Sequence, residues 1–122
     1  MKFYKIDKDA ALCHAVENGH TEIVRLLLDA GADVHANNDY ALRWAVEEGD
    51  TETVQLLLDA GADVRANEDV ALCQAAEYGR IKIIRLLLDA GANVHANNDE
   101  ALCSTVRNGY TETAKVLKSY MK

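Results

Sequence analysis

Leu26–Ala32 reads LLLDAGA, and the same string returns at Leu56–Ala62 and Leu86–Ala92, a step of 30 residues each time. Working outward, Leu12, Leu42, Leu72 and Leu102 keep that step, and so do Gly19, Gly49, Gly79 and Gly109. Self-similarity at a fixed period of this size signals a stack of repeated helical or strand units. The units run 9–38, 39–68, 69–98 and 99–122, with 1–8 as a lead-in, and the whole of 1–122 reads as a single domain.

Each unit reads as two short helices. In the second, Asp39 stands where it would cap a first helix by accepting a bond from an orphan backbone N–H. Ala41, Leu42, Ala45 and Val46 then form one apolar stripe. Gly49 closes this helix, since a left-handed residue costs glycine little. Thr51 and Glu52 open the second helix, Val54, Leu57 and Leu58 form its apolar face, and Gly61 stops it. One such pair cannot bury its own stripe, but stacked copies cover one another. Small residues at Ala15, Ala45 and Ala75 let neighbouring helices approach closely. The expected fold is therefore all-α, a solenoid of four stacked helix-turn-helix units.

The last unit departs from the others. Lys118 replaces Leu28, Leu58 and Leu88, Ala114 replaces Val24, Val54 and Ile84, and Thr113 replaces Ile23 and Ile83. These changes predict a polar outer face that ends the stack. At the other end, Phe3, Tyr4 and Ile6 are expected to fold over the first unit as a lid.

Hydrophobic residues at 49% and charged residues at 27% fit a globular chain rather than a disordered one. No apolar run approaches the roughly 20 residues that span a bilayer. MKFYKIDKDA lacks the features of a signal peptide, so a cytoplasmic location is expected. The formal net charge is −7. Residues 6–79 hold 16 acidic and 4 basic residues (−12), whereas 80–122 hold 4 acidic and 7 basic (+3). An acidic chain repels phosphate backbones, which argues against nucleic acid as a partner.

The repeat resembles a known family. GHTEIVRLLLDAGADVHA (Gly19–Ala36) is similar to the second helix and turn of an ankyrin repeat, and ALCHAVENG and ALRWAVEEG resemble its first helix. The usual unit has 33 residues and a T-P-L-H start. Here the shortfall lies between Ala36 and Leu42, and the Thr-Pro pair is absent, so the hairpin fingers should be shortened to a tight turn. ADVHANNDYALRWAVEEGD is also similar to the short repeats of ankyrin proteins from giant DNA viruses of amoebae. That likeness implies a viral protein acting in the host cytoplasm.

No constellation for catalysis or for a metal or cofactor is apparent. Cys13, Cys73 and Cys103 sit at one repeated position with no Cys-x-x-Cys pairing, which reads as small buried hydrophobes. His20 reads as a capping or turn contact, His35 and His95 lie two units apart, too far for a shared metal or an acid–base pair, and His14 has no carboxylate or cysteine at ligand spacing. Ser104 and Ser119 have no His–Asp pattern beside them, and the glycines stand singly rather than in a phosphate-cradling loop. The expectation is a chain that is not an enzyme and needs no cofactor.

Function is expected where the units differ. Before the repeated leucine stand Ala10, Tyr40, Val70 and Glu100; two residues after it stand His14, Trp44, Gln74 and Ser104. The first helix ends in Glu17-Asn18, Glu47-Glu48, Glu77-Tyr78 and Arg107-Asn108, and the turns carry His35, Arg65 and His95. The ankyrin resemblance implies that first helices and turns line a concave partner-binding groove. That places Tyr40, Trp44, Glu47, Glu48, Arg65, Val70, Gln74, Glu77 and Tyr78 in it, an aromatic centre with an acidic surround. Tyr and Trp bury much area for little entropy cost. Trp44 has a competing reading as a packing residue of the ALRWA motif. The implied function is an adaptor or inhibitor, expected to be monomeric, holding a protein with a basic and partly apolar patch. The rival is a structural or designed scaffold with no specific partner.

Overall fold

A computed structural model of the chain describes residues 7–121. Among these lie eight helices and no strand: α1 (Lys8–Glu17), α2 (Thr21–Asp29), α3 (Ala36–Glu48), α4 (Thr51–Asp59), α5 (Ala66–Glu77), α6 (Ile81–Asp89), α7 (Ala96–Asn108) and α8 (Thr111–Ser119). The odd-numbered helices pack side by side in one row and the even-numbered ones in a second, and each odd-numbered helix also packs on the even-numbered helix that follows it. The expected lid residues Phe3, Tyr4 and Ile6 lie outside the described residues.

The apolar stripes meet between the rows. Leu12, Leu42 and Leu72 are buried from the first row, and Val24, Val54, Ile84, Leu57, Leu87 and Leu117 from the second. Ala15, Ala45 and Ala75 are buried where adjacent first-row helices meet, which is why a small residue recurs there. Each fully buried Leu or Val contributes about 1.5–3 kcal/mol relative to exposure. Gly49 ends α3 with φ +76°, and the Arg80 guanidinium lies where a Cβ would sit.

The repeated aspartates do not cap the first helices as expected. Asp7, not Asp9, caps α1, accepting from the Ala10 N–H at 3.0 Å. Asp39, Asp69 and Asp99 instead close a left-handed turn. Asn37-Asn38-Asp39, Asn67-Glu68-Asp69 and Asn97-Asn98-Asp99 all have φ between +53° and +62°. Three left-handed residues in a row reverse the chain in the space that a longer finger would fill. Asn and Asp accept this conformation better than other L-residues, which explains the composition.

The aspartate carboxylates tie each turn to the far end of their own unit. Asp9 accepts from the Asp33 N–H at 2.7 Å, Asp69 from the Asn93 N–H at 2.9 Å, and Asp39 from the Asp63 N–H. Asn67 donates to the Asn38 carbonyl at 3.4 Å and Asn97 to the Glu68 carbonyl at 2.9 Å, so successive turns are also tied to one another.

Two outcomes follow from these turns. Glu68 holds a φ of +59° without the short polar side chain that eases it. Glu68→Asn is expected to raise unfolding free energy by about 0.5–1 kcal/mol, read by thermal or urea melting, because its carbonyl bond to Asn97 is kept. His35 Nδ1 lies 2.8 Å from Asp39 Oδ1. That bond, with help from the charges on Asp39, Asp33 and Asp63, raises the His35 pKa above its ordinary 6.5. The folded value exceeds the unfolded one, so the added stability is complete below about pH 6.5 and is lost as pH rises through the raised value. The imidazole is 54% exposed, so solvent screening keeps the effect under about 1 kcal/mol. His35→Gln should flatten that part of the melting-point profile, from about pH 6.5 upward.

The last unit is only partly the polar cap its sequence predicts. Lys118 is exposed and Ala114 half-buried, but Thr113 is buried. Thr113 shares its position with buried Thr53 and Ile83, so a threonine there does not mark an outer face.

Candidate functional site

The residues that vary between units come together on the first-row helices α3 and α5. Tyr40 and Trp44 sit one turn apart on α3, their ring centroids 5.9 Å apart and tilted by 31°. The Arg43 guanidinium lies over the Tyr40 ring at 5.6 Å and donates to the Asn37 carbonyl at 3.1 Å. The left-handed turn therefore positions Arg43, and Arg43 positions Tyr40. Partial burial raises the Tyr40 pKa, with the Glu17 charge adding to the rise, so the hydroxyl stays a neutral donor at physiological pH.

Trp44 is half-buried and packs against the core. Its two readings share one side chain, which packs against the core and lies beside Tyr40. Val70 and Gln74 occupy the equivalent places on α5, both half-buried. Glu48 and Glu77 are exposed and Glu47 is half-buried. Arg65 is exposed in the turn, its Nε 3.8 Å from Asp69 Oδ2, and belongs to the left-handed turn rather than to the aromatic centre.

Tyr78 is 43% exposed and forms the C-cap of α5. Arg80 lies over its ring at 5.7 Å and reaches back 33 residues to donate to the Glu47 carbonyl at 3.0 Å. This side chain joins Tyr78 to Glu47 across the joint between units two and three. Sequence reasoning missed both Arg43 and Arg80. The signal for Arg80 was its place, shared with His20, Asp50 and Tyr110, at a position that varies as much as those of the groove.

The first-row surface changes character along the stack. In the fourth unit Arg107 donates to Glu100 and, at 3.1 Å, to Ser104, while the Ser104 hydroxyl lies 3.4 Å from Glu100. The Arg107 bond holds the Glu100 carboxyl below its usual range. That cluster is internally satisfied. The second and third units are not. Among the described residues, the buried side-chain polar atoms without a partner are Arg43 Nε, Trp44 Nε1, Gln74 Oε1 and Arg80 Nε. All four lie on or beside α3 and α5.

The remaining chemistry is structural. Cys13 is buried and Cys73 half-buried, and burial pushes both thiols up, away from the reactive thiolate. Cys103 is exposed, which corrects its reading as a buried hydrophobe. Among the described residues there is no group of three or more His, Cys, Asp or Glu side chains that could hold a metal ion. None of the described helices is long and apolar enough to cross a membrane.

Two rows of paired helices in repeated register, with LLLDAGA turning between them, are matched by a family model described as ankyrin repeats (3 copies), over residues 2–68 and 42–122. The chain belongs to the ankyrin-repeat family. No curated protein matches it. Ankyrin repeats are generally protein–protein interaction modules and generally non-catalytic. In this ankyrin stack a left-handed turn leads into each of α3, α5 and α7, and the residues singled out above lie on or beside α3 and α5.

Proposed function

We propose that this chain is a non-catalytic binding module that holds a partner protein against the α3–α5 face of its ankyrin stack. The observation that carries this reading is where the unpaired polar atoms lie. A buried donor or acceptor without a partner costs about 1–3 kcal/mol, so a sequence selected for stability alone would not gather four of them in one place. The repeated positions satisfy their polar groups by the Asp and Asn bonds described above, whereas Arg43 and Arg80 each leave their Nε, Trp44 its Nε1 and Gln74 its Oε1 without a partner on or beside this face.

The partner we infer is basic and partly apolar. Glu47, Glu48 and Glu77 surround Tyr40, Trp44 and Tyr78, and residues 6–79 carry a balance of −12. Complementary charge would speed association and make it weaken with salt. Tyr40, Trp44 and Tyr78 would supply the contact area that dominates affinity. We further take the whole of 1–122 as one adaptor or inhibitor domain. The likeness of its repeats to giant-virus ankyrin proteins points to a partner in the host cytoplasm.

The test is affinity capture with the native chain and with Tyr40→Ala/Glu48→Ala/Tyr78→Ala. These side chains are largely outside the core, and the variant's fold is checked by circular dichroism. A prey held by the native chain should be bound at least about 100-fold more weakly by the variant. A prey held equally by both would remove the site from this face, and the absence of any specific prey would favour a scaffold.

A further inference from the structure

The second-row helices meet in succession, α2 on α4, α4 on α6 and α6 on α8, and the last of these joints holds a side chain that the first lacks. Between α6 and α8, Tyr120 stands where the earlier units have Ala30, Ala60 and Ala90. Its hydroxyl donates to Asp89 Oδ1 at 2.7 Å, 31 residues back, and its ring packs against the core. That bond, with burial adding to it, raises the Tyr120 pKa, so the hydroxyl keeps its proton and stays a donor. Arg85 lies close enough for its charge to oppose the rise. Leu88 is buried at this joint, whereas its counterparts Leu28 and Leu58 are half-buried.

Between α2 and α4 the corresponding place is open. A hollow of about 460 Å³ is lined by Leu28, Ala32, Leu56 and Ala60 and by the carboxylates of Asp29 and Asp59. Asp29 and Ala60 are the counterparts of Asp89 and Tyr120. Ala60 has φ −85° and ψ 1°, close to the −95° and −7° of Tyr120, so the backbone that aims the tyrosine ring is present without the ring. Arg25, the counterpart of Arg85, also lines the hollow, and its guanidinium is drawn to Glu22 at 3.8 Å and Glu52 at 3.6 Å. At the middle joint Asp59 accepts from Gln55 Nε2 at 2.8 Å. Asp29 is thus the member of this series that neither a glutamine nor a tyrosine of the described residues reaches.

We propose that the α2–α4 hollow is a seat for a tyrosine side chain of a partner polypeptide, its ring on Leu28 and Leu56 and its hydroxyl donating to Asp29. The occupant is argued from the chain itself, because Tyr120 shows that a phenol ring fills this place and that its hydroxyl meets the repeated aspartate. A tyrosine combines a large apolar ring with one donor, which suits an apolar hollow edged by carboxylates. Phenylalanine would leave the bond to Asp29 unmade, and a phosphorylated tyrosine would set its charge against Asp29 and Asp59. The seat is on the second row and is independent of the α3–α5 partner site.

The test is an NMR titration of the full chain with acetyl-Gly-Tyr-Gly-amide and with its phenylalanine and phosphotyrosine counterparts. The tyrosine peptide is expected to give saturable shifts in residues 25–32 and 56–60, with a Kd of about 1 mM. The phenylalanine peptide should bind roughly tenfold more weakly, and the phosphotyrosine peptide should not saturate. Asp29 is exposed, so Asp29→Ala should fold and should bind the tyrosine peptide no better than the native chain binds the phenylalanine one. Ala60→Tyr should fill the seat from within. It is expected to abolish peptide binding and to raise the melting temperature, with a smaller rise when Asp29→Ala is added. The proposal is overturned by a native chain that shows no saturable shift in those residues up to about 20 mM peptide. It is equally overturned if the phenylalanine or phosphotyrosine peptide binds as the tyrosine one does, or if Asp29→Ala binds as the native chain does. An Ala60→Tyr chain that still binds the peptide, or melts no higher, overturns it as well.

Discussion

Replacing Leu72 with alanine is expected to lower the unfolding free energy by about 2–5 kcal/mol, the largest stability effect of any single truncation in the stack. Leu72 is fully buried on α5, with α3 and α7 on either side and α6 beneath. The cavity is enclosed by three neighbours that also serve the adjoining joints, so local collapse cannot fill it. In a stack of repeats, stability is a sum of unit terms and nearest-neighbour terms. The third unit lies between the second and the fourth, so Leu72→Ala should weaken two joints together. A loss of about 3 kcal/mol corresponds to roughly 10 °C in melting temperature for a chain of this size. The internal control is Leu102→Ala. Leu102 has the same register but is only half-buried, so it should cost about 1–2 kcal/mol. Urea melts of the two variants check both values. Equal losses would mean that position within the stack does not matter.

The second large effect is expected from Asp69→Ala, at about 2–3 kcal/mol. Asp69 is buried, holds a φ of +60° and accepts from the Asn93 N–H. Alanine leaves that N–H without a partner, at about 1–3 kcal/mol. It also puts a residue that resists the left-handed region into a left-handed run. Asn should recover most of the loss, because it keeps an acceptor oxygen and tolerates the same φ. Thermal melts of the two variants separate the roles: an Asn as damaging as Ala would mean that the charge, and not the acceptor or the conformation, is what counts.

These two residues show how far the sequence could be read. The burial of Leu72 follows from a local pattern, because a stripe at helical spacing repeated in register has one way to be covered. The joint between units was legible for the same reason. The role of Asp69 was not legible. Its position before an apolar run looks like a helix cap, and the bond it makes spans 24 residues to a backbone group that no pattern marks. The left-handed turn is similar. Asn-Asn-Asp and Asn-Glu-Asp permit positive φ, but left-handed residues usually occur singly. Three together are stable here because neighbouring turns and a distant N–H hold them.

The proposed binding face was partly legible. Variation against a repeated frame singled out Tyr40, Trp44, Glu48, Val70, Gln74 and Tyr78, and the structure puts the first five on the adjacent helices α3 and α5 and Tyr78 at the C-cap of α5. It also shows Arg65 tied to the turn and brings in Arg43 and Arg80, whose reach across a ring or a joint depends on three-dimensional packing. The unpaired atoms of Trp44 and Gln74 could not be foreseen, since residue type says what can bond and not what lies within reach.

The most direct test of the α3–α5 binding face is a hydrogen-exchange footprint of the chain with its captured partner. Protection is expected to concentrate in residues 37–48 and 67–80, where Tyr40, Trp44, Gln74 and Tyr78 stand, with little change in α2, α4, α6 and α8. Protection centred on those second-row helices, with α3 and α5 exchanging as in the free chain, would contradict it.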